Sequence, residues 1–230
     1  MKRIGLIGGM SWESSMEYYR IINQKVKEVL GGLHSANLIM LSLDFHEIEI
    51  LQHSNKWKEL TSILNQAAKD LENADAELVL ICTNTMHKIA DEVQRNISIP
   101  LLHIADQTAK KIKELKLKKI GLLGTKITME EDFYKGRLID NYGLEIITPN
   151  DEDMEIINRI IYEELVVGKF RTNSKQQYIN IINKMISNGV EGIILGCTEI
   201  PLLIKEADIE IPIFDTTKIH AESAVYEALK

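Results

Sequence analysis

The chain has 230 residues, of which 45% are hydrophobic and 27% charged, and it carries a net charge of −7. That length permits one large domain or two small ones, and the composition suits a chain that buries a sizeable core. The acidic balance excludes a basic nucleic-acid footprint, and no apolar run reaches membrane-spanning length.

Residues 2–7 form a short apolar run stopped by Gly8-Gly9, which reads as a first parallel strand and is too short for a signal-peptide core. Ser11 offers a helix cap, and apolar residues recur at helical spacing as far as Leu30, where Gly31-Gly32 gives a stop. Residues 36–43 read as a second strand, 44–53 and 57–71 as helical pieces, and 78–81 as a buried strand. A helix is expected from Thr85 to about Arg95, then a short strand and crossover over residues 99–104. Lys110 to Lys119 is rich in lysine, but its apolar residues keep helical spacing, so it reads as a solvated helix face. Residues 119–124 form the next strand, and Thr128 with Glu131 gives a capping-box pattern for the helix beyond it. Residues 145–147 read as a strand, and 151–167 and 172–188 as helices. Gly192-Ile193-Ile194-Leu195-Gly196 then delivers Cys197 to a strand end, followed by a strand at 211–214 and a last helix from Thr216. Strands alternating with helices argue an α/β protein with parallel sheets.

The chain also repeats itself. Lys2-Arg3-Ile4-Gly5-Leu6-Ile7-Gly8 recurs as Lys118-Lys119-Ile120-Gly121-Leu122-Leu123-Gly124, and Ile99-Pro100-Leu101 recurs as Ile211-Pro212-Ile213. Between them Asn73-Ala74-Asp75-Ala76-Glu77 matches Asn188-Gly189-Val190-Glu191 with one residue dropped. Landmarks in one order at a nearly constant offset point to two similar parallel-sheet α/β domains related by duplication. The expected domains are residues 1–98 with 210–230, and 99–209, with the active site in the cleft between them. Ligands of open parallel sheets bind at the carboxyl ends of strands.

Two cysteines do not make a disulfide framework, so Cys82 and Cys197 read as reduced thiols of a cytoplasmic protein. Glu191 laid on Glu77 puts Cys197 on Thr83, and Cys82 one residue earlier. Neighbouring side chains of a strand point to opposite faces, so Cys82 reads as core. Two matched halves, each presenting one polar residue, suit inversion of a stereocentre by proton transfer. A thiol serves as the base when its surroundings favour the thiolate.

Gly8-Gly9-Met10, Thr83-Asn84-Thr85-Met86-His87 and Gly196-Cys197-Thr198-Glu199-Ile200, in this order, resemble the aspartate/glutamate racemase superfamily. Met10-Ser11-Trp12-Glu13-Ser14 and the Cys82 to His87 stretch narrow the resemblance to the aspartate racemase branch and its L-aspartate/glutamate-specific members. The resemblance implies cofactor-independent racemisation of acidic amino acids, L-aspartate and L-glutamate, by a homodimer with a pair of catalytic cysteines, one from each half. Here the first of that pair falls on Thr83. Members with this Thr/Cys pattern resemble racemases that favour the L-enantiomer, so Cys197 is the expected principal base and Thr83 holds the opposite catalytic position.

Asn84, Thr85, Thr125 and Thr198 are candidates for holding the α-carboxylate, and Gln52, Lys169 and Arg171 for the side-chain carboxylate, with an exposed loop charge as the other reading of Arg171; Met10 is a further substrate-binding candidate. Glu199 reads either as an orienting or proton-relay group beside Cys197 or as a cap of the following helix. His87 reads as support for the site or as packing, and Trp12, Tyr18 and Tyr19 as core or subunit contacts. Gly5 to Gly9 lacks the dinucleotide-binding spacing, and His, Cys and acidic residues lack metal-ligand spacing. No metal, nucleic-acid or membrane partner is expected. Two further readings are a one-thiol malonate decarboxylase or maleate isomerase, and a small-acid binding protein without turnover.

Overall fold

The computed structural model describes all 230 residues. The chain divides into two compact units, Met1–Ile104 with His220–Lys230, and Ala105–Ile219. In the first unit β1 (Ile4–Gly8), α1 (Trp12–Leu30), β2 (Leu38–Ser42), α2 (Phe45–His53), α3 (Trp57–Asn73), β3 (Leu78–Ile81) and α4 (Ala90–Asn96) follow in order. The sheet is parallel with strand order β2-β1-β3. Parallel strands need crossover helices, which cover both faces, and β1 and β3 are accordingly buried at every residue. Alternation sorts their side chains. Ile4, Leu6, Leu78 and Leu80 pack with Tyr18, Ile22 and Val26 of α1 and with Ala224 and Val225 near the C-terminus. Ile7, Val79 and Ile81 pack with Leu60, Leu64 and Leu71 of α3. Each fully buried aliphatic side chain contributes about 1.5–3 kcal/mol, so these two layers hold the sheet between its helices.

The second unit contains α5 (Ile104–Glu114) beyond its first residue, β4 (Lys119–Gly124), α6 (Lys126–Glu130), α7 (Asp132–Tyr142), β5 (Glu145–Ile147) and α8 (Asp151–Glu163). It continues with α9 (Thr172–Ser187), β6 (Gly192–Gly196), α10 (Ile200–Leu203), β7 (Ile213–Asp215) and the start of α11 (Thr216–Ala228), which from His220 onward belongs to the first unit. Its sheet is parallel in the order β5-β4-β6-β7. Ile193 and Leu195 share a core with Ile157 and Ile161 of α8 and with Tyr178 and Ile182 of α9. No helix of the chain is long and apolar enough to cross a membrane.

Strand register bears out the duplication. Ile4 pairs with Leu78 in the first sheet, and Ile120 pairs with Gly192 in the second. The helix-to-strand junctions repeat as well. Ala74 and Asn188 end α3 and α9 with φ of −91° each, and Asp75 and Gly189 then turn the chain with φ of 60° and 84°. The Glu77 carboxylate accepts the Arg3 N–H at 2.8 Å, and the Glu191 carboxylate accepts the Lys118 and Lys119 N–H groups at 2.7 and 2.9 Å. Asn188 thus matches Ala74 rather than Asn73, and the alignment needs no dropped residue.

Where each sheet ends decides the boundaries. Val79 N–H donates to Pro100 O and Leu102 N–H to Val79 O, both at 2.9 Å, so Leu101 bridges Val79 as the trace of a fourth strand. In the second sheet Ile193 N–H donates to Pro212 O at 2.9 Å and Ile193 pairs with Ile213. Residues 99–104 therefore stay with the first unit and 210–219 with the second, a shift from the boundaries expected at 98/99 and 209/210. Two local expectations also change. Thr128 lies inside α6 and donates its N–H to the Thr125 hydroxyl oxygen at 3.3 Å, so Thr125 is the cap. Of the aromatic residues on α1, Tyr18 is core, whereas Trp12 and Tyr19 are more than half exposed.

Candidate active site

Cys197 follows the last residue of β6 and joins the α8–α9 core at 7% exposure. Its Sγ donates to Glu199 Oε2 at 3.0 Å, and the Thr198 hydroxyl donates to the same oxygen at 2.8 Å. Glu199 is itself buried and occupies the N-cap position of α10, yet its side chain makes no capping hydrogen bond. The carboxylate is turned to the thiol instead. Burial pushes the Cys197 thiol well above its ordinary range, and the Glu199 charge and hydrogen bond push it further. Backbone N–H groups of Glu199 and Ile200 act in the opposite sense. At rest the sulfur therefore keeps its proton. Thiol and carboxylate share one proton and one negative charge across this hydrogen bond. Moving the proton onto Glu199 frees a thiolate without changing the net charge, the arrangement a buried site tolerates best.

Gly124 pairs with Gly196, so Thr125 and Cys197 leave adjacent strand ends. The Thr125 hydroxyl oxygen lies 3.0 Å from that of Thr128. Behind the thiol, the Tyr178 hydroxyl donates to Ile157 O at 3.4 Å, and burial, reinforced by the Glu164 and Glu199 charges, keeps it protonated. Glu164 is buried, accepts the Ser174 hydroxyl at 2.6 Å and lies 3.7 Å from the Arg171 guanidinium. Arg171 is thus paired within its own unit. Lys169 is exposed, and its N–H donates to Glu164 O at 2.8 Å. Sequence reasoning passed over Glu164 and Tyr178. The signal for Glu164 was present: it continues the buried stripe of Ile157, Ile160 and Ile161 on α8.

In the first unit the register gives Thr83 the place that Cys197 has in the second. Ile7 pairs with Ile81, two residues before Thr83, as Leu123 pairs with Leu195, two before Cys197. Cys82 is fully buried with Leu78 and Leu80, and burial alone pushes its thiol up. Asn84 and Thr85 are buried, and a short 3-10 turn, Thr85–Ile89, carries His87. At the adjacent strand end Gly9 turns with φ of 88°, and a Cβ there would lie 2.1 Å from Leu43 O. That turn buries Met10 against Met86, and the Gln52 side-chain amide donates to Met86 Sδ at 3.0 Å. Each unit therefore gathers its own share of the expected residues at its strand ends.

The chain is 54% identical to a protein from Yersinia pestis provisionally described as an Asp/Glu racemase, whose crystal structure superposes with a TM-score of 0.94 and 100% coverage of both chains. An aspartate racemase homologue from Pyrococcus horikoshii OT3 is 40% identical, with a TM-score of 0.87 and again 100% of both chains covered. The broad specificity amino-acid racemase RacX of Bacillus subtilis (strain 168) is 26% identical over 227 residues, covering 96% of each chain. The Asp/Glu/Hydantoin racemase family matches residues 7–224. The chain belongs to the Asp/Glu/Hydantoin racemase family.

Proposed function

We propose that this chain racemises L-aspartate and L-glutamate without a prosthetic group, acting as a homodimer. The observation that carries the reading is the Cys197 thiol donating to the buried Glu199 carboxylate at 3.0 Å. Glu199 takes the thiol proton, the thiolate removes the α-proton from the L face, and the sulfur is protonated again. The carbanion is stabilised as an enolate-like carboxylate by N–H and hydroxyl donors. A proton returned on the other face by Thr83, or by a water it holds, gives the D-enantiomer. Asn84, Thr85 and Thr125 hold the α-carboxylate. Thr198 joins them through its backbone N–H, because its hydroxyl proton is committed to Glu199. Met10, Gln52 and Lys169 select the substrate side chain.

Enantiomers have equal free energy in water, so a preference for L-substrates means weak binding or slow turnover of the D form, not a one-way reaction. Incubation of L-glutamate and L-aspartate in heavy water tests the proposal by following α-deuterium uptake and D-product together. Both are expected, and both are lost in Cys197→Ser. Neither signal from the wild-type protein would sink the reading.

A further inference from the structure

His87 lies on the 3-10 turn after Thr83, in a buried cluster with His103, His220 and Tyr18. Its Nδ1 lies 2.8 Å from Thr83 O, and its Nε2 accepts the Ile104 N–H at 3.2 Å. A carbonyl only accepts and a backbone N–H only donates, so the proton is on Nδ1 and the ring is neutral. Its neighbours hold the ring in place. The His103 and His220 rings stand edge-on to it, with centroids at 4.6 and 5.8 Å. His220 is fixed in turn, donating from Nε2 to Leu102 O at 2.7 Å and accepting the Tyr18 hydroxyl on Nδ1 at 2.8 Å.

We propose that His87 is a positioning residue for the Thr83 face of the reaction, clamping the Thr83 carbonyl to the Ile104 amide with both ring nitrogens. The inference rests on the racemase reading above. The clamp fixes the Thr83–Asn84 peptide plane, and with it the hydroxyl and the donors that follow. Misplacement of a reacting group by about 1 Å costs about a hundredfold in rate. Cys197, in the other unit, makes none of these hydrogen bonds, so proton removal from the L face is spared relative to inversion.

The test measures the ratio of D-product to α-deuterium exchange with L-glutamate in heavy water. His87→Leu is expected to lower that ratio at least tenfold. His87→Asn, whose amide nitrogen reaches the Nδ1 position, is expected to restore it to within threefold of wild type. His87→Gln keeps only the arm to Ile104 and should resemble His87→Leu, so the Asn and Gln pair carries the test if the leucine variant does not fold. An unchanged ratio in His87→Leu or His87→Gln, or one that His87→Asn fails to restore, overturns the clamp. A wild-type protein that neither exchanges nor inverts refutes the racemase reading separately. The clamp is then judged by nitrogen-resolved NMR of the imidazoles. One Nδ1-protonated form of His87 from pH 5 to 8 upholds it, and a titrating ring overturns it.

Discussion

Replacing Glu199 by glutamine removes the charge beside Cys197 while keeping the side chain's length, and its two expected effects have opposite signs. Glu199 is the negative group that, after burial itself, holds the Cys197 thiol up. Without it the thiolate forms more readily, and alkylation by iodoacetamide should run faster and reach its plateau at lower pH. Cys82 is fully buried with its thiol pushed up by burial, so mass spectrometry should find the label on Cys197 alone. Racemisation should nevertheless slow. A neutral amide still accepts hydrogen bonds at 3.0 and 2.8 Å but cannot take the proton. A positioned acid–base group supplies about a hundredfold to ten-thousandfold, or about 3–5 kcal/mol of barrier. Polarimetry on L-glutamate gives the rate, and alkylation across pH 6 to 10 gives the thiolate fraction. Turnover that rises with the thiolate would refute the relay, because Glu199 would then act only as an inhibiting charge.

Thr83→Cys restores a thiol on the second face and should raise turnover of D-substrates at least tenfold; a slower D-reaction would refute the register match with Cys197. Cys82→Ala should keep its racemase activity and lose about 1–2 kcal/mol of stability to the small cavity, measured by urea denaturation; loss of activity in a folded variant would move the catalytic role to Cys82. Burial lowers His220 from its ordinary 6.5 to about 3. Between those values the unfolded chain takes up a proton that the folded chain refuses. This stabilisation is complete above 6.5 and lost as pH falls toward 3, with a slope of about 1.4 kcal/mol per pH unit. His220→Gln should therefore lose less stability than wild type between pH 7 and 4.5, and equal losses would show that His220 is charged when folded.

The strands were legible because parallel strands buried on both faces are written as short apolar runs, and Leu78 to Ile81 is as plain a case as Gly192 to Gly196. The separation of Cys82 from Thr83 followed from the two-residue period of a strand and from the repeat. What stayed hidden depends on partners distant in the chain. Residues 99–104 and 210–219 could not be allotted until the hydrogen bonds of Val79 and Ile193 were known. Tyr18 and His220 stand 202 positions apart, and no local pattern joins them. Glu199 was undecided between helix cap and relay because both need a carboxylate at that position. Only the direction of its side chain separates them.

The repeated junctions carry a consequence for how such a chain varies. Arg3 with Glu77, and Lys118 and Lys119 with Glu191, close the edge where strands begin, and that edge is built alike in both units. The opposite edge differs: Gly9 stands where the other unit has Thr125, and Thr83 where it has Cys197. From the start of the first strand to the start of its neighbour, the chain runs from Ile4 to Leu38 in one unit but only from Lys119 to Glu145 in the other. One rim serves assembly in both units, and the other carries residues in which the units differ. Substitutions at the closing rim should harm stability while leaving turnover alone, and those of Thr83 and Cys197 at the opposite rim should change turnover with little effect on stability.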